Sequence, residues 1–170
     1  MTKLLIWCGK LWKNDTELTR REFLIYPVGL IAMAKMISEH FSFNEMVCRC
    51  GDCKRADMDP EFVKLLEQIR KAYGKPMYLS SAFRCDNHNS KVSSVPNGPH
   101  TFQENGGLAV DVLIWGVEAK ILFSVAQNVG ASGLGVAQTG DIKDRFLHID
   151  GVERAAGSSG FWNYPVRRKS

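Results

Sequence analysis

The chain has 170 residues, of which 45% are hydrophobic and 24% are charged. These are the proportions of a globular protein, so they exclude wholesale disorder, and the length suits a single domain. The formal net charge of +4 is too small to indicate a nucleic-acid partner, although it would favour approach to an anionic surface such as a cell wall.

The first 37 residues predict either an accessory segment or a twin-arginine-type export signal. The stretch TRREFL at 19–24 resembles a twin-arginine motif, and the small residues at 32–34 resemble a cleavage site. Against export, the apolar run at 23–34 contains Pro27. That run is also far too short to span a bilayer as a helix, so we expect no stable membrane span.

Residues 38–166 predict one α+β domain, and the basic stretch at 167–170 predicts a solvated tail. Asp59 and Pro60 begin a helix with apolar residues at helical spacing, which Gly74 ends. Strands are expected at 77–81, 108–114, 132–137 and 145–150, a polar loop at 83–100, and a second helix at 118–130. Helices and strands do not alternate regularly, which favours an α+β fold over a doubly wound sheet.

Two histidines and two carboxylates stand at positions that suggest a metal site. His100 ends the polar loop, Asp111 lies inside an apolar strand, and His148 shares one strand face with Asp150. An aspartate inside an apolar strand is costly to bury unless it is paired, hydrogen-bonded or bound to a cation. Two imidazoles and a carboxylate, with a fourth position left to water, are a common ligand set for catalytic zinc. The alternative is an ordinary histidine that is hydrogen-bonded at a strand end.

Four of the five cysteines could act together. The C-x-C-x-x-C spacing lets Cys48, Cys50 and Cys53 converge on one centre, with Cys85 as a fourth member, while Cys8 stands apart. This pattern is compatible with a structural metal, with disulfides or with free thiols, and the sequence leaves the three open.

Four stretches occur in the same order as in a known enzyme family. FSFNEMVCRCGDC, MDPEFVKLLEQIRKAYGKPMYLSSAFRCDNHN, GLAVDV and FLHID together resemble zinc D-alanyl-D-alanine carboxypeptidases and related peptidoglycan peptidases. That family includes phage endolysins that cut the L-alanyl-D-glutamate bond. The resemblance covers residues 38–151. It implies a Hedgehog/D-Ala-D-Ala peptidase-like fold, in which helices flank a small and mostly antiparallel sheet.

The resemblance also implies roles for individual residues. The zinc ligands would be His100, Asp111 and His148. Arg84 would hold the substrate carboxylate or carbonyl oxygen through its planar, permanently charged fork, with Ser81 orienting its loop. Asp150 would fix a ligand histidine by accepting its other ring proton. Apart from the resemblance, Trp162 and Tyr164 could line a substrate groove or simply pack near the chain end.

The chain departs from the family pattern in two places. The gap between the first two ligands is longer than usual because residues 101–107 are inserted. The position three residues before His148, where many relatives carry an acidic general base, holds Arg145, so Asp144 is the expected base. His88 matches a recurrent RCxxHN element near the site, and stabilisation of its own loop is the alternative role.

Together these features predict a zinc-dependent peptidoglycan peptidase that hydrolyses a stem-peptide bond, as a D-Ala-D-Ala carboxypeptidase does, in cell-wall turnover or lysis. The alternatives are an L-Ala-D-Glu endopeptidase of the endolysin type and a non-catalytic, zinc-stabilised cell-wall-binding or virion module of the same fold. We expect Zn²⁺ as cofactor, peptidoglycan stem peptides as partner, no nucleic acid, and a monomer. An export signal would place the protein in the cell envelope or periplasm; otherwise it would be cytoplasmic, or phage-encoded and released at lysis.

Overall fold

The computed structural model describes residues 35–155 and 160–165. The export-signal prediction rests on residues before 35, and the basic tail begins at 167, so both lie outside the described residues and stay predictions. Among the residues described, no helix has the length and apolar character needed to cross a bilayer.

The domain is an α+β fold built on one five-stranded sheet. The strands are β1 (Leu79–Ser81), β2 (Ala109–Leu113), β3 (Gly133–Ala137), β4 (Phe146–Asp150) and β5 (Phe161–Asn163). The helices are α1 (Phe43–Met46), α2 (Pro60–Tyr73), α3 (Asp86–Val92) and α4 (Gly116–Val129), with a 3-10 turn at Ile142–Asp144. The strand order is β1-β2-β4-β3-β5, and β5 alone pairs in parallel. The predicted α+β class with a mostly antiparallel sheet is confirmed.

Helix α2 forms where the sequence predicted it, and its ends have clear causes. The Asp59 carboxylate accepts the Phe62 N–H at 2.9 Å, and Pro60 occupies the first turn. Gly74 ends the helix at φ +71°, a left-handed conformation that suits glycine. The face containing Leu66 and Ile69 is buried in the core.

The sheet separates an apolar face from a polar one. On β2 and β4, Val110, Val112, Leu147 and Ile149 are buried in the core cluster to which helices α2 and α4 also contribute. Because side chains alternate along a strand, the residues between them project from the opposite face. That opposite face carries the buried polar residues of the sheet, which are the ones that form the candidate site described below.

The sequence-based prediction missed helices α1 and α3, the 3-10 turn and strand β5. The expected polar loop at 83–100 contains helix α3, and the chain near residue 162 forms strand β5. Helix α3 has no apolar stripe, and among its residues only Asn89 is buried, so hydrophobic periodicity could not reveal it. The side chain of Asn89 donates to the carbonyl of Val95 at 2.9 Å, which links the helix to the loop that follows.

Candidate metal centre

One row of residues across the polar face of the sheet assembles most of the site. Strand pairing sets Ser81 opposite Asp111, Asp111 opposite His148, and His148 opposite Gly135. Gly135 is in turn paired with Trp162 on β5. Directly paired residues on one face lie within side-chain contact distance, so the sheet register itself brings these groups together.

Three donor atoms converge where this row meets the loop that ends at His100. The His100 Nε2 atom lies 3.2 Å from Oδ1 of Asp111 and 3.3 Å from Nδ1 of His148, and this Nδ1 lies 2.9 Å from the same Oδ1. Around a tetrahedral zinc with bonds of about 2.0–2.1 Å, ligand atoms stand about 3.3 Å apart. The triangle therefore has the size of one face of a zinc coordination tetrahedron.

The remaining nitrogen of each imidazole has a fixed partner. Nδ1 of His100 donates to the carbonyl of Ala82 at 2.7 Å, and Nε2 of His148 lies 3.1 Å from Oδ2 of Asp150. If the ring protons are on Nδ1 of His100 and Nε2 of His148, the other two nitrogens each carry a lone pair. These two nitrogens face each other across 3.3 Å. Two facing lone pairs repel unless a proton or a cation lies between them. These residues thus fit a metal ion.

The charges of the site also favour a cation. Burial by itself would raise the pKa of Asp111, but the neighbouring His100 and His148 hold that pKa well below its usual range. Burial would lower the pKa of His148, whereas its contacts with Asp111 and Asp150 raise it. The two carboxylates therefore create a negative potential at the ring nitrogens, where a metal ion and a proton would compete.

Arg84 contacts the outer oxygen of the candidate ligand carboxylate. Its Nη2 atom donates to Oδ2 of Asp111 at 2.6 Å, and its Nε donates to Oγ of Ser81 at 2.8 Å. The backbone N–H of Arg84 also donates to the carbonyl of His100 at 2.8 Å. The Arg84 side chain is 16% exposed, so it lies between the buried triangle and solvent.

Asp150 is held by an arginine that the sequence did not single out. Two guanidinium nitrogens of Arg154 donate to its two oxygens at 2.7 and 2.8 Å, and the Val152 N–H donates to it at 3.0 Å. Burial would raise the pKa of Asp150, but chiefly Arg154, with His148 second, lowers it to about 2. Gly133 makes room for this pair, since a Cβ there would lie 2.3 Å from Oδ2 of Asp150. Asp150 therefore stays ionised beside the imidazole.

Two aromatic side chains border the site at strand β5. The ring of Trp162 is centred 5.3 Å from the ring of His148, and that of Tyr164 lies 6.4 Å from it. The guanidinium carbon of Arg154 also lies over the ring of Trp162, at 5.6 Å from its centroid. A Cβ on Gly135 would come within 2.7 Å of both aromatic rings, so glycine at this position allows their close approach.

The insertion at 101–107 does not separate the ligand candidates. Gln103 N–H donates to the carbonyl of Gly106 at 3.0 Å, which turns the chain back on itself. Leu108 N–H then donates to the carbonyl of Pro99 at 2.7 Å, on the other side of His100. The extra residues between His100 and Asp111 therefore form a local loop that starts and ends beside the site.

Asp144, the proposed general base, and its neighbour Arg145 lie just before strand β4. Asp144 is exposed in the 3-10 turn, two residues before the strand begins. The guanidinium of Arg145 donates to the carbonyl of Gly140 at 3.1 and 2.9 Å. Arg145 therefore binds the backbone of its own loop, and whether Asp144 acts as the base stays a prediction.

A second group of potential metal ligands shares no residue with the first. The thiols of Cys48, Cys50, Cys53 and Cys85 lie within 4.8 Å of one another, and none of the four forms a disulfide. His88 belongs to this group, because its Nδ1 lies 3.3 Å from the sulfur of Cys48. Among the described residues, no hydrogen bond joins His88 to the His100 triangle.

Comparison with known proteins gives one finding. The family model described as peptidase M15 matches residues 39–150, about two thirds of the chain, and this match includes all three members of the triangle. A search of the curated proteins found no match.

Proposed function

Because the chain belongs to the peptidase M15 family of zinc peptidases, we propose that it is a zinc-dependent peptidoglycan peptidase that hydrolyses a stem-peptide bond. The observation that carries this proposal is the triangle of His100, Asp111 and His148, with donor atoms 2.9–3.3 Å apart. We propose D-alanyl-D-alanine carboxypeptidase-like cleavage as the first candidate. Cleavage of the L-Ala-D-Glu bond, as in endolysins, is the second.

Zinc would be held by Nε2 of His100, Oδ1 of Asp111 and Nδ1 of His148. When bound, it would polarise the scissile carbonyl and lower the pKa of a water molecule at the fourth position. The Ala82 carbonyl and the Asp150 carboxylate would keep both imidazoles in the tautomer and orientation that binding requires.

Arg84 would bind the substrate beside the metal. Its Nε and one N–H of Nη2 are engaged by Ser81 and Asp111, which leaves the N–H groups of Nη1 and one of Nη2 for a substrate carboxylate or carbonyl oxygen. Its permanent positive charge would stabilise the negative charge that develops on the carbonyl oxygen during attack.

Asp144 would supply the general base. It would accept a proton from the attacking water and return it to the leaving amine. Its place just before β4 makes it the nearest acidic residue in sequence to the position that Arg145 occupies. Glu104, on the inserted loop, is the alternative base. Trp162, which lies against His148, would form one wall of the groove for the stem peptide.

A non-catalytic cell-wall-binding or virion module is the rival proposal. The feature that favours it is Arg145, which stands where many relatives carry the base and whose guanidinium is engaged by Gly140. Such a module would keep the zinc site and bind peptidoglycan without changing it.

Digestion of purified peptidoglycan, followed by mass analysis of the muropeptides, tests these proposals. Loss of a terminal D-alanine would support the carboxypeptidase, and cleavage within the stem would support the endopeptidase. His148→Ala should abolish either product, whereas His40→Ala, which removes a histidine paired with Glu67, should retain it. Unchanged muropeptides from the zinc-loaded wild type would contradict the peptidase and favour the binding module.

A further inference from the structure

The four-cysteine group lies outside the proposed catalytic triangle, and its geometry addresses the alternatives that the sequence left open. Three of its members come from the segment 48–53, and Cys85 comes from the start of helix α3. Cys48 is buried in the core, while the other three are partly exposed. The fold therefore brings two distant segments together through their thiols.

We propose that this group binds a second zinc ion, which is structural, through the thiolates of Cys48, Cys50, Cys53 and Cys85. The sulfur of Cys85 lies 3.7 Å from that of Cys48 and 3.9 Å from that of Cys50. In a tetrahedral site with Zn–S bonds of about 2.3 Å, sulfur atoms stand about 3.8 Å apart. All four sulfurs lie within 4.8 Å of one another, so one ion can reach all of them.

Backbone N–H groups point at the sulfurs, as bound thiolates require. The N–H of Cys53 donates to the sulfur of Cys50 at 3.3 Å, and the N–H of Cys85 donates to that of Cys48 at 3.4 Å. Such bonds favour the anionic sulfur, which is the form that binds metal.

The turn that contains Cys50 and Cys53 includes two residues in the left-handed conformation. Gly51 follows Cys50 at φ +82°, and Lys54 follows Cys53 at φ +48°. Lys54 is one of two described non-glycine residues with positive φ, a conformation that is unfavourable for a residue with a Cβ atom. This unfavourable backbone conformation is explained if the turn has to direct its N–H groups at metal-bound sulfurs.

His88 lies beside the proposed zinc site and is not one of its ligands. Its Nδ1 lies 3.3 Å from the sulfur of Cys48, where a ring N–H would donate to the thiolate. Arg84 directly precedes Cys85 in the chain, so the ion would anchor the peptide that carries Arg84. This anchoring is the structural role that we assign to the second ion.

Zinc content of the purified, folded protein tests the proposal. The wild type should carry about two zinc ions per chain, and X-ray absorption should show a component with four sulfur neighbours at about 2.3 Å. Cys53→Ser should lose about one ion per chain, while Cys8→Ser, a matched change at the remaining cysteine, should keep both. His88→Ala should also keep both.

The two zinc proposals can fail separately. His148→Ala should lose the nitrogen-rich site and keep the sulfur-rich one, so the absorption spectrum of this variant isolates the second ion even if Cys53→Ser does not fold. A wild type without zinc–sulfur neighbours would overturn the structural ion and leave the peptidase proposal standing. The structural ion would also be overturned if the four thiols resisted alkylation after denaturation with chelator and no reductant, because they would then be in disulfides. Loss of the sulfur-bound ion in His88→Ala but not in Cys53→Ser would refute this ligand set.

Discussion

Replacing Arg154 by methionine should destabilise the domain by about 2–3 kcal/mol at neutral pH. Arg154 pairs through two hydrogen bonds with Asp150, a fully buried carboxylate whose pKa is lowered from 3.8 to about 2. Lowering this carboxyl pKa from 3.8 to about 2 corresponds to about 2.5 kcal/mol, and Arg154 is the largest favourable contributor. Removal of one partner of a fully buried ion pair costs about 3–5 kcal/mol, and the 22% exposure of Arg154 reduces this figure.

The penalty should depend on pH in a defined direction. The folded pKa of Asp150 lies below its unfolded value, so the pair stabilises the protein fully above about pH 4, and this contribution disappears as the pH falls toward 2. Urea unfolding of Arg154→Met and the wild type, measured from pH 7 downward, should therefore give curves that converge in acid. Both proteins are unfolded in the presence of a chelator, so metal binding does not contribute to the difference between them.

Lys64→Met is the matched control, because Lys64 forms an exposed pair with Glu61. Its loss should cost no more than about 1 kcal/mol at any pH. If Arg154→Met costs no more than Lys64→Met at pH 7, or if its penalty stays constant down to pH 3, the buried-pair reasoning is wrong.

Three further predictions test the proposed base, the aromatic wall and the cap of α2. Asp144→Asn should lower kcat by about 10²–10⁴-fold with zinc content unchanged, and a comparable loss in Glu104→Gln instead would reassign the base. Gly135→Ala should displace the Trp162 ring, so KM for the stem peptide should rise about tenfold or more; an unchanged KM would remove Trp162 from the groove. Asp59→Ala removes the cap of α2 and should cost about 1 kcal/mol in urea unfolding, with an unchanged midpoint contradicting the cap.

Much of the fold could be predicted because its signals are local. Asp59 and Gly74 mark the ends of α2, and the apolar residues between them have helical spacing. The polar residues Asp111 and His148 were conspicuous inside apolar strands, and the sheet register sets them opposite each other. Burial of a charge in an apolar strand is costly, which is why such positions carry information about a site.

The unpredicted parts depend on contacts between distant segments. Strand β5 is only three residues long, and its parallel pairing with β3 has no local signature. Arg154 lies outside any strand, and its importance comes from the buried carboxylate that it reaches. The role of Gly135 follows from the close approach of Trp162, which the sequence around either residue does not indicate.

The most direct test of the central claim is hydrolysis of purified peptidoglycan before chelation, after chelation and after zinc is restored. We predict that chelation abolishes release of products and that zinc restores it in the wild type. Asp111→Asn, which keeps the size of the side chain but loses the negative charge at the triangle, should stay inactive at the same zinc concentration. Product release that persists in metal-free wild type, or in zinc-supplied Asp111→Asn at the wild-type rate, would contradict a zinc peptidase built on His100, Asp111 and His148.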